Sequence, residues 1–382
     1  GTPREPAHRA SSSAVPWRPQ AMQLVRLLTW SVLCALQCNS HAYTMHSGLL
    51  RGSSAGPAAR LRVAMQAAVS PCVIKVVGVG GGGGNAINRM IQFGQADKDA
   101  VEYWAINTDI QALDASLSPN RLGLGAGTSR GLGAGGNPEM GGAAAEESYD
   151  QISQMVSDSD MVFVVAGMGG GTGTGAAPVV AQAARAAGCL TVGVVTKPFN
   201  FEGQRRMRQA EAGIAKLQQQ VDAIIVVSND KLLDLVQEGT PLQEAFCVAD
   251  DILRQGVVGI SDIIVKAGMI NVDFADVQSV MGGSGLALMG IGTADGKNRA
   301  HDAAVAAVSS PLIDFPISQA TGIVLTITGS SDMTLQEVNA AAQAIFEMSD
   351  PDANIIFGAQ VDDEMGGVIS VTVVATGFSS LM

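Results

Sequence analysis

The chain has 382 residues, of which 47% are hydrophobic, 15% charged and 4% aromatic, with 46 glycines and a net charge of −12. That apolar share excludes a disordered chain, the length suits one large or two medium domains, and the acidic balance excludes a generic nucleic-acid binder with a basic stripe. Cys34, Cys38, Cys72, Cys189 and Cys247 are odd in number and scattered, so they indicate neither a disulfide framework nor a zinc site. They read as small buried hydrophobes of a reducing compartment, and no protein metal site is expected.

Charge divides the chain. Residues 1–70 carry seven arginines, no lysine and one acid, Glu5, whereas the remaining 312 carry 16 basic and 34 acidic side chains. The first part reads as an address. From Met22 come Arg26, an apolar stretch from Leu27 to Leu36, and small or polar residues ending at Ala42. This is the layout of a secretory signal peptide over 22–42. Residues 43–70 are rich in Ser, Ala, Gly and Arg and have no acid, which is transit-peptide composition. The pair resembles the two-part leader of plastids acquired by secondary endosymbiosis, with Tyr43 just after the candidate cleavage site. A single plastid or mitochondrial transit peptide is the alternative. The apolar run is shorter than the roughly 20 residues of a membrane span, so no direct membrane insertion is expected.

The body alternates strand and helix patterns. Strands are predicted at Cys72–Val77, Val101–Ile106, Met161–Val165, Leu190–Val195 and Ala223–Val227, and helices at Ala86–Phe93, Ala176–Ala187 and Gln204–Gln220. Such alternation predicts a doubly wound parallel α/β sheet over 71–240, with ligands at the carboxyl ends of its strands. A long helix follows over 241–267, with Phe246, Ala249, Leu253, Val257, Ile260 and Ile264 on one stripe. At 1.5 Å per residue it would span about 40 Å and cross the molecule. A second, smaller α+β domain is predicted over 268–378, with strands at Leu286–Ile291, Gly322–Thr328, Asn354–Gly358 and Gly367–Ala375 and helices at Arg299–Ser309 and Thr334–Met348. Residues 379–382 form a short tail.

Two glycine segments each follow an apolar strand and open a helix: 78–86 (GVGGGGGNA) and 167–178 (GMGGGTGTGAAP). Glycine lets backbone amides approach phosphate oxygens, and a helix N-terminus adds a positive dipole end. One such loop is a weak signal; two at neighbouring strand ends are not tight turns alone. No G-x-x-x-x-G-K-[ST] occurs, so backbone amides and helix ends must manage the phosphate charge, with Mg²⁺ held mainly by phosphates and water.

These strings, with Asn107-Thr108-Asp109, GLGAGGNPE at 131–139, KPFNFEGQRR at 197–206 and NVDFADV at 271–277, resemble FtsZ, the tubulin-like GTPase of bacterial and plastid division. The resemblance covers about 72–378 and implies a GTP/GDP site, a tubulin/FtsZ-like fold and polymerisation. It implies that Gly80, Gly81 and Gly82, with Asn85, approach the phosphates. Gly169, Gly170, Gly171, Thr172, Gly173, Thr174 and Gly175 would hold the α- and β-phosphates, with both threonines donating. Gly135, Gly136 and Asn137 would sense the γ-phosphate. Glu202 and Arg206 would contact the ribose and phosphate region, and Asn229 the guanosine. Phe246 would stack on guanine and Asp250 would accept from its N1–H and N2–H₂. Asn271, Asp273 and Asp276 would act in catalysis on the GTP of the next subunit. Read without the resemblance, Glu202 and Arg206 make an i,i+4 ion pair, Phe246 a core aromatic, and Asp273 and Asp276 a helix cap with first-turn charge.

GLGAG occurs twice, at Gly123–Gly127 and Gly131–Gly135, and the second copy is taken as the γ-phosphate loop because Asn137-Pro138-Glu139 follows it. Many FtsZ proteins continue beyond the last strand with a linker and a tether-binding peptide. Here the sequence ends at Met382, which reads as a truncated chain or as a tailless paralogue that co-assembles. The implied role is a polymerising GTPase of the plastid division ring, in the stroma or alternatively the mitochondrial matrix. Its partners would be copies of itself, a second FtsZ paralogue and ring accessory proteins. Two other readings stand beside it: a dinucleotide-dependent oxidoreductase, and a structural filament subunit that barely hydrolyses GTP.

Overall fold

The computed structural model describes residues 72–93, 101–233, 241–266, 268–270 and 272–378, with backbone alone for 233 and 242–246. The leader over 1–70, Asn271, the Phe246 side chain and the tail at 379–382 lie outside the described residues.

Six parallel strands form the first half of the sheet. They are β1 (Ile74–Val79), β2 (Val101–Asn107), β3 (Asn120–Gly123), β4 (Met161–Gly167), β5 (Leu190–Lys197) and β6 (Ala223–Ser228), in the order β3-β2-β1-β4-β5-β6. β1 is buried along its whole length and β4 along all but its last residue, which is why both read as unbroken apolar runs. Their side chains still alternate. Val76, Phe163 and Val165 join one core, and Val77, Val79, Val164 and Ala166 the other. The chain winds outward in one direction from β1 and in the other from β4, so the crevice of the sheet opens above the carboxyl ends of these two strands. Both glycine segments begin there.

The glycine segments are not the loops the sequence predicts. Helix α1 (Gly80–Gln92) starts within the first, six residues before the expected Ala86. Glycine is a poor helix former in isolation, and packing overrides that cost of about 1 kcal/mol per residue. A Cβ on Gly83 would lie 2.3 Å from the Val165 carbonyl oxygen, and Gly80 adopts φ 73 with its Cα against the Gly173 amide. The glycines let this helix press onto the end of β4.

After α2 (Ile110–Asp114) come α3 (Pro138–Glu147), which has no strong periodic signal in the sequence, and α4 (Tyr149–Val156), which buries Ile152, Met155 and Val156 on one face. α3 is short-sided (GGAAA) and packs closely on α5 (Thr172–Ala186), where a Cβ on Gly175 would sit 2.0 Å from the Pro138 carbonyl. α6 (Gln204–Gln218) and α7 (Asn229–Leu233) precede the long helix α8 (Leu242–Val265). α8 ends at Val265, two residues short of the expected 267. The Lys266 N–H bonds the Asp262 carbonyl at 2.9 Å while Lys266 itself turns extended. The predicted stripe faces inward, with Ala249, Leu253, Val257 and Ile260 all at most 4% exposed.

The C-terminal part contains α9 (Phe274–Met281), β7 (Gly285–Ala294), α10 (Arg299–Val308), β8 (Gly322–Gly329), α11 (Leu335–Met348), β9 (Asn354–Val361) and β10 (Ile369–Thr376). Its sheet runs β7-β10-β8-β9, antiparallel except for the last pair. It is not separate from the first. Ala223, Ile224 and Ile225 pair in parallel with Gly285, Leu286 and Ala287, so one ten-stranded sheet runs through the described body. The two halves are thus joined by shared strand hydrogen bonds as well as by α8.

Candidate functional site

α1 and α5 both begin without a side-chain cap, at Val79 and Gly171. Their first-turn amides therefore need acceptors from elsewhere, and each helix end carries about half a positive charge. The two ends meet above β1 and β4 at a cavity of about 340 Å³. Gly81, Gly82 and Asn85 of α1 line one wall, and Gly170, Gly171, Thr172 and Gly173 another. Arg206 is the one cation among the described lining residues, so amides and helix ends are the main attraction for a polyanion.

Some glycines of the two segments stand behind the lining. Gly80, Gly169 and Gly175 make close backbone contacts with Gly173, Arg206 and Pro138, and so set how near the walls stand. Thr174 departs from its expected role as a phosphate donor. It is 3% exposed, and its Oγ1 accepts the Gly169 N–H at 2.8 Å, stapling the loop from within. The Gly135–Asn137 turn is likewise outside the lining but adjoins it, since a Cβ on Gly171 would stand 3.0 Å from the Asn137 nitrogen. Asn137 Oδ1 caps α3 by accepting the Glu139 N–H at 3.0 Å.

The two GLGAG copies have different tasks. At the end of the first, the Thr128 hydroxyl donates to Glu147, as do the Gly127 and Thr128 amides at 2.7 and 2.9 Å, and together they hold that carboxyl below its ordinary pKa. In the second, the Gly133 N–H donates to the Thr108 carbonyl at 3.1 Å. Between them Arg130 sits at φ 51, a conformation that is uncommon for a residue with a Cβ.

Glu202 and Arg206 both line the cavity and form the ion pair that their spacing predicts, at 2.6 Å. They do not share one helix. Glu202 ends a 3-10 turn (Asn200–Glu202), Gly203 intervenes at φ 98, and Arg206 lies in α6. Glu202 Oε1 also accepts the Phe199 N–H at 2.9 Å. Asn229, 7% exposed, lines the cavity, and its buried Oδ1 has no hydrogen-bond partner among the described residues. Asp250 projects from α8 between Ala249 and Leu253, and burial pushes its carboxyl up to about 6 against the opposing charge of Arg89. Gly167, Met168, Thr196, Pro198, Ala249 and Leu253 also line the cavity. Thr196 was legible in principle as a polar residue at the end of an apolar strand.

Asp273 and Asp276 are elsewhere. Asp250 and the end of α8 at Val265 are separated by about 22 Å of helix rise, and the two acids follow that end. Asp273 is the N-cap of α9, its Oδ1 accepting the Asp276 N–H at 2.8 Å. Asp276 is exposed in the first turn, and its side chain takes no part in the cap.

The sequence matches the Tubulin/FtsZ family, GTPase domain, over residues 73–237 and the FtsZ family, C-terminal domain, over 285–379. Among solved structures, an empty FtsZ dimer from M. jannaschii is 42% identical, with a TM-score of 0.79 over 85% of this chain and 93% of that one. This chain belongs to the FtsZ family. A tryptophan-to-tyrosine mutant of the M. jannaschii FtsZ is 43% identical, with a TM-score of 0.78 over 84% of this chain and 95% of that one. CetZ2 from Haloferax volcanii, solved as a GTPγS-bound protofilament, shares the fold at 23% identity, with a TM-score of 0.66 over 79% of this chain and 92% of that one. The family is one of tubulin-like GTPases.

The β3-β2-β1-β4-β5-β6 strand order is also that of dinucleotide-binding folds. An oxidoreductase of that type needs a ribose-reading acid at the end of β2. Asn107 stands there, 7% exposed, and the neighbouring Asp109 is spent capping α2. The family assignment and this geometry remove that reading.

Proposed function

We propose that the chain binds GTP in the cavity at the β1–β4 crevice, assembles head to tail, and hydrolyses GTP at the junction between subunits in an organelle division ring. One observation carries the proposal. The N-terminal half of α8 lines the cavity through Ala249, Asp250 and Leu253, whereas Asp273 and Asp276 follow its C-terminal end. A subunit cannot bring its own acids to its own nucleotide, whereas a head-to-tail neighbour can, and such heterologous contacts generate open filaments.

Within the pocket each residue has a separate task. The uncapped starts of α1 and α5 take the phosphates, and the Gly135–Asn137 turn lies where a γ-phosphate extends past Gly171. Arg206, held by Glu202, adds positive charge. Asn229 Oδ1 accepts from the nucleoside, and Asp250 accepts from guanine N1–H and N2–H₂. Adenine offers no such pair of donors. Mg²⁺ arrives with the nucleotide. Phosphate and water oxygens supply most of its ligands. In hydrolysis the neighbour's Asp276 polarises and orients the attacking water, with Asp273 fixing the helix that carries it. Positioning and charge management are what phosphoryl transfer mainly requires.

The test is phosphate release per subunit against protein concentration. Turnover that rises steeply above a threshold, together with filaments, supports the shared site. Turnover independent of concentration overturns it, and filaments with GTP bound but negligible turnover would favour the weakly hydrolysing subunit.

Base recognition gives a second expectation. Asp250→Ala should weaken GTP binding by about 1.5–3 kcal/mol, the usual weight of a hydrogen bond to a charged acceptor, and should narrow the preference over ATP. Only the ionised carboxyl accepts both donors. Since burial raises its pKa to about 6, GTP affinity should be flat above pH 7 and fall about tenfold per unit below pH 6. The same shift means that the nucleotide-free fold loses stability as pH rises from about 4 through 6, because the native state holds the proton longer than the unfolded one. Titration calorimetry across pH checks this. An Asp250→Asn variant with an unchanged pH profile would show that another group titrates.

The organelle is proposed from residues 22–70, which read as a signal followed by a transit segment. A reporter fused behind them should enter the plastid stroma by the secretory route. Mitochondrial delivery would select the single-transit reading, and a cytosolic reporter would exclude both. A second FtsZ paralogue and accessory proteins complete the proposed ring.

A further inference from the structure

The Asn107-Thr108-Asp109 motif contributes no residue to the cavity lining, yet Thr108 is tied both to Thr172 in the lining and to the loop that carries the two GLGAG copies. Its Oγ1 is 2.6 Å from Thr172 Oγ1, and its carbonyl accepts the Gly133 N–H at 3.1 Å and the Ser129 hydroxyl at 3.3 Å. Ser129 is itself 5% exposed and bonds the Gly125 carbonyl at 2.9 Å. The loop carrying the two GLGAG copies therefore grips the Thr108 backbone and leaves its hydroxyl to act on the phosphate segment.

We propose that Thr108 is a positioning residue for the nucleotide: its hydroxyl donates to Thr172 Oγ1 and turns the Thr172 proton into the cavity. The inference rests on the reading of that cavity as the nucleotide site. The direction of the bond follows from burial. Thr108 is 1% exposed, and among the described residues Thr172 Oγ1 is the one hydrogen-bond partner of its Oγ1. A buried hydroxyl proton without an acceptor is costly, so Thr108 gives its proton to Thr172. Thr172 is partly exposed, lines the cavity and opens α5. With one lone pair occupied from behind, its own proton is free to point at a phosphate oxygen. Donation into a hydroxyl also polarises it and strengthens the bond that it makes in turn. A β-branched side chain suits the task, because its χ1 is restricted once its methyl is packed.

The experiment measures GDP binding by calorimetry on the nucleotide-stripped full chain. GDP is chosen because its affinity is read without hydrolysis. Thr108→Val keeps shape and branching but removes the donor, and should weaken GDP binding about tenfold. Thr108→Ser keeps the hydroxyl and should stay within about twofold of the unmutated chain. Thr172→Val should weaken binding at least as much as Thr108→Val. The double variant should be no weaker than Thr172→Val alone, since residues acting through one contact do not add. Should Thr108→Val not fold, Thr108→Cys, with a weaker donor of similar size, carries the same comparison. Additive losses in the double variant, or unchanged affinity in Thr108→Val, overturn the inference. So does a loss that serine fails to rescue. An unmutated chain that binds no GDP would instead overturn the nucleotide reading on which it rests.

Discussion

Asp276→Ala is expected to bind GTP as the unmutated chain does, to form filaments, and to hydrolyse GTP on the order of 10²–10⁴-fold more slowly, the weight of a positioned acid/base group. The structure separates this residue from its neighbour. Asp273 holds the start of α9 through the Asp276 N–H, so Asp273→Ala would remove a cap worth about 1 kcal/mol and blur any kinetic effect. The Asp276 side chain lies outside the cap, and its loss should leave the fold nearly unchanged. It also lies outside the nucleotide cavity, so GTP affinity should not move. Filaments should persist longer, because slower hydrolysis delays the loss of γ-phosphate at each junction. Phosphate release and sedimentation at matched protein concentration decide the matter. Reduced GTP affinity in Asp276→Ala, or turnover at the unmutated rate, would remove Asp276 from the proposed role.

How much of this was legible beforehand varied with the kind of information. The crevice between β1 and β4 was, because these two buried strands each read as an apolar run followed by glycines. The stripe of α8 was too, since helical spacing and burial coincide at Ala249, Leu253, Val257 and Ile260. The helical state of Gly80–Gly84 was not. Local propensity argues for a loop there, and only the approach of α1 to the Val165 carbonyl explains the choice. α3 was missed for a related reason: its glycines and alanines serve close packing on α5 and leave no strong apolar period. Side-chain direction was the other blind point. Thr172 and Thr174 are two apart in one motif, yet one faces the cavity and the other is buried against Gly169. The tie between Thr108 and Thr172 spans 64 positions and has no local signal. Nor had the short β6–β7 pairing, which depends on how the two halves meet.

Mixing two inactive variants should restore turnover, and the structure indicates which glycine to enlarge for the second. A side chain on Gly173 would start 2.5 Å from the Gly167 carbonyl, and one on Gly171 would strike Ala134 and the Asn137 amide. Either would disturb backbone that supports the fold. Gly170 lines the cavity, and a Cβ there meets nothing within 4 Å. Gly170→Val should therefore fold with a melting temperature near that of the unmutated chain, while its side chain occupies space needed by the phosphates. It should not bind GTP at concentrations that saturate the unmutated chain, but it keeps Asp273 and Asp276. Asp276→Ala keeps its pocket. In an equimolar filament with random order, about one junction in four joins an intact pocket to an intact acid pair, because the contact is heterologous and directional. Turnover of the mixture should then approach about a quarter of the unmutated rate, against almost none for either variant alone. Co-sedimentation must first show that Gly170→Val enters filaments beside Asp276→Ala. If it does, and turnover still equals the sum of the two separate values, the nucleotide and the acids are not shared between subunits, and hydrolysis must use groups of the same chain.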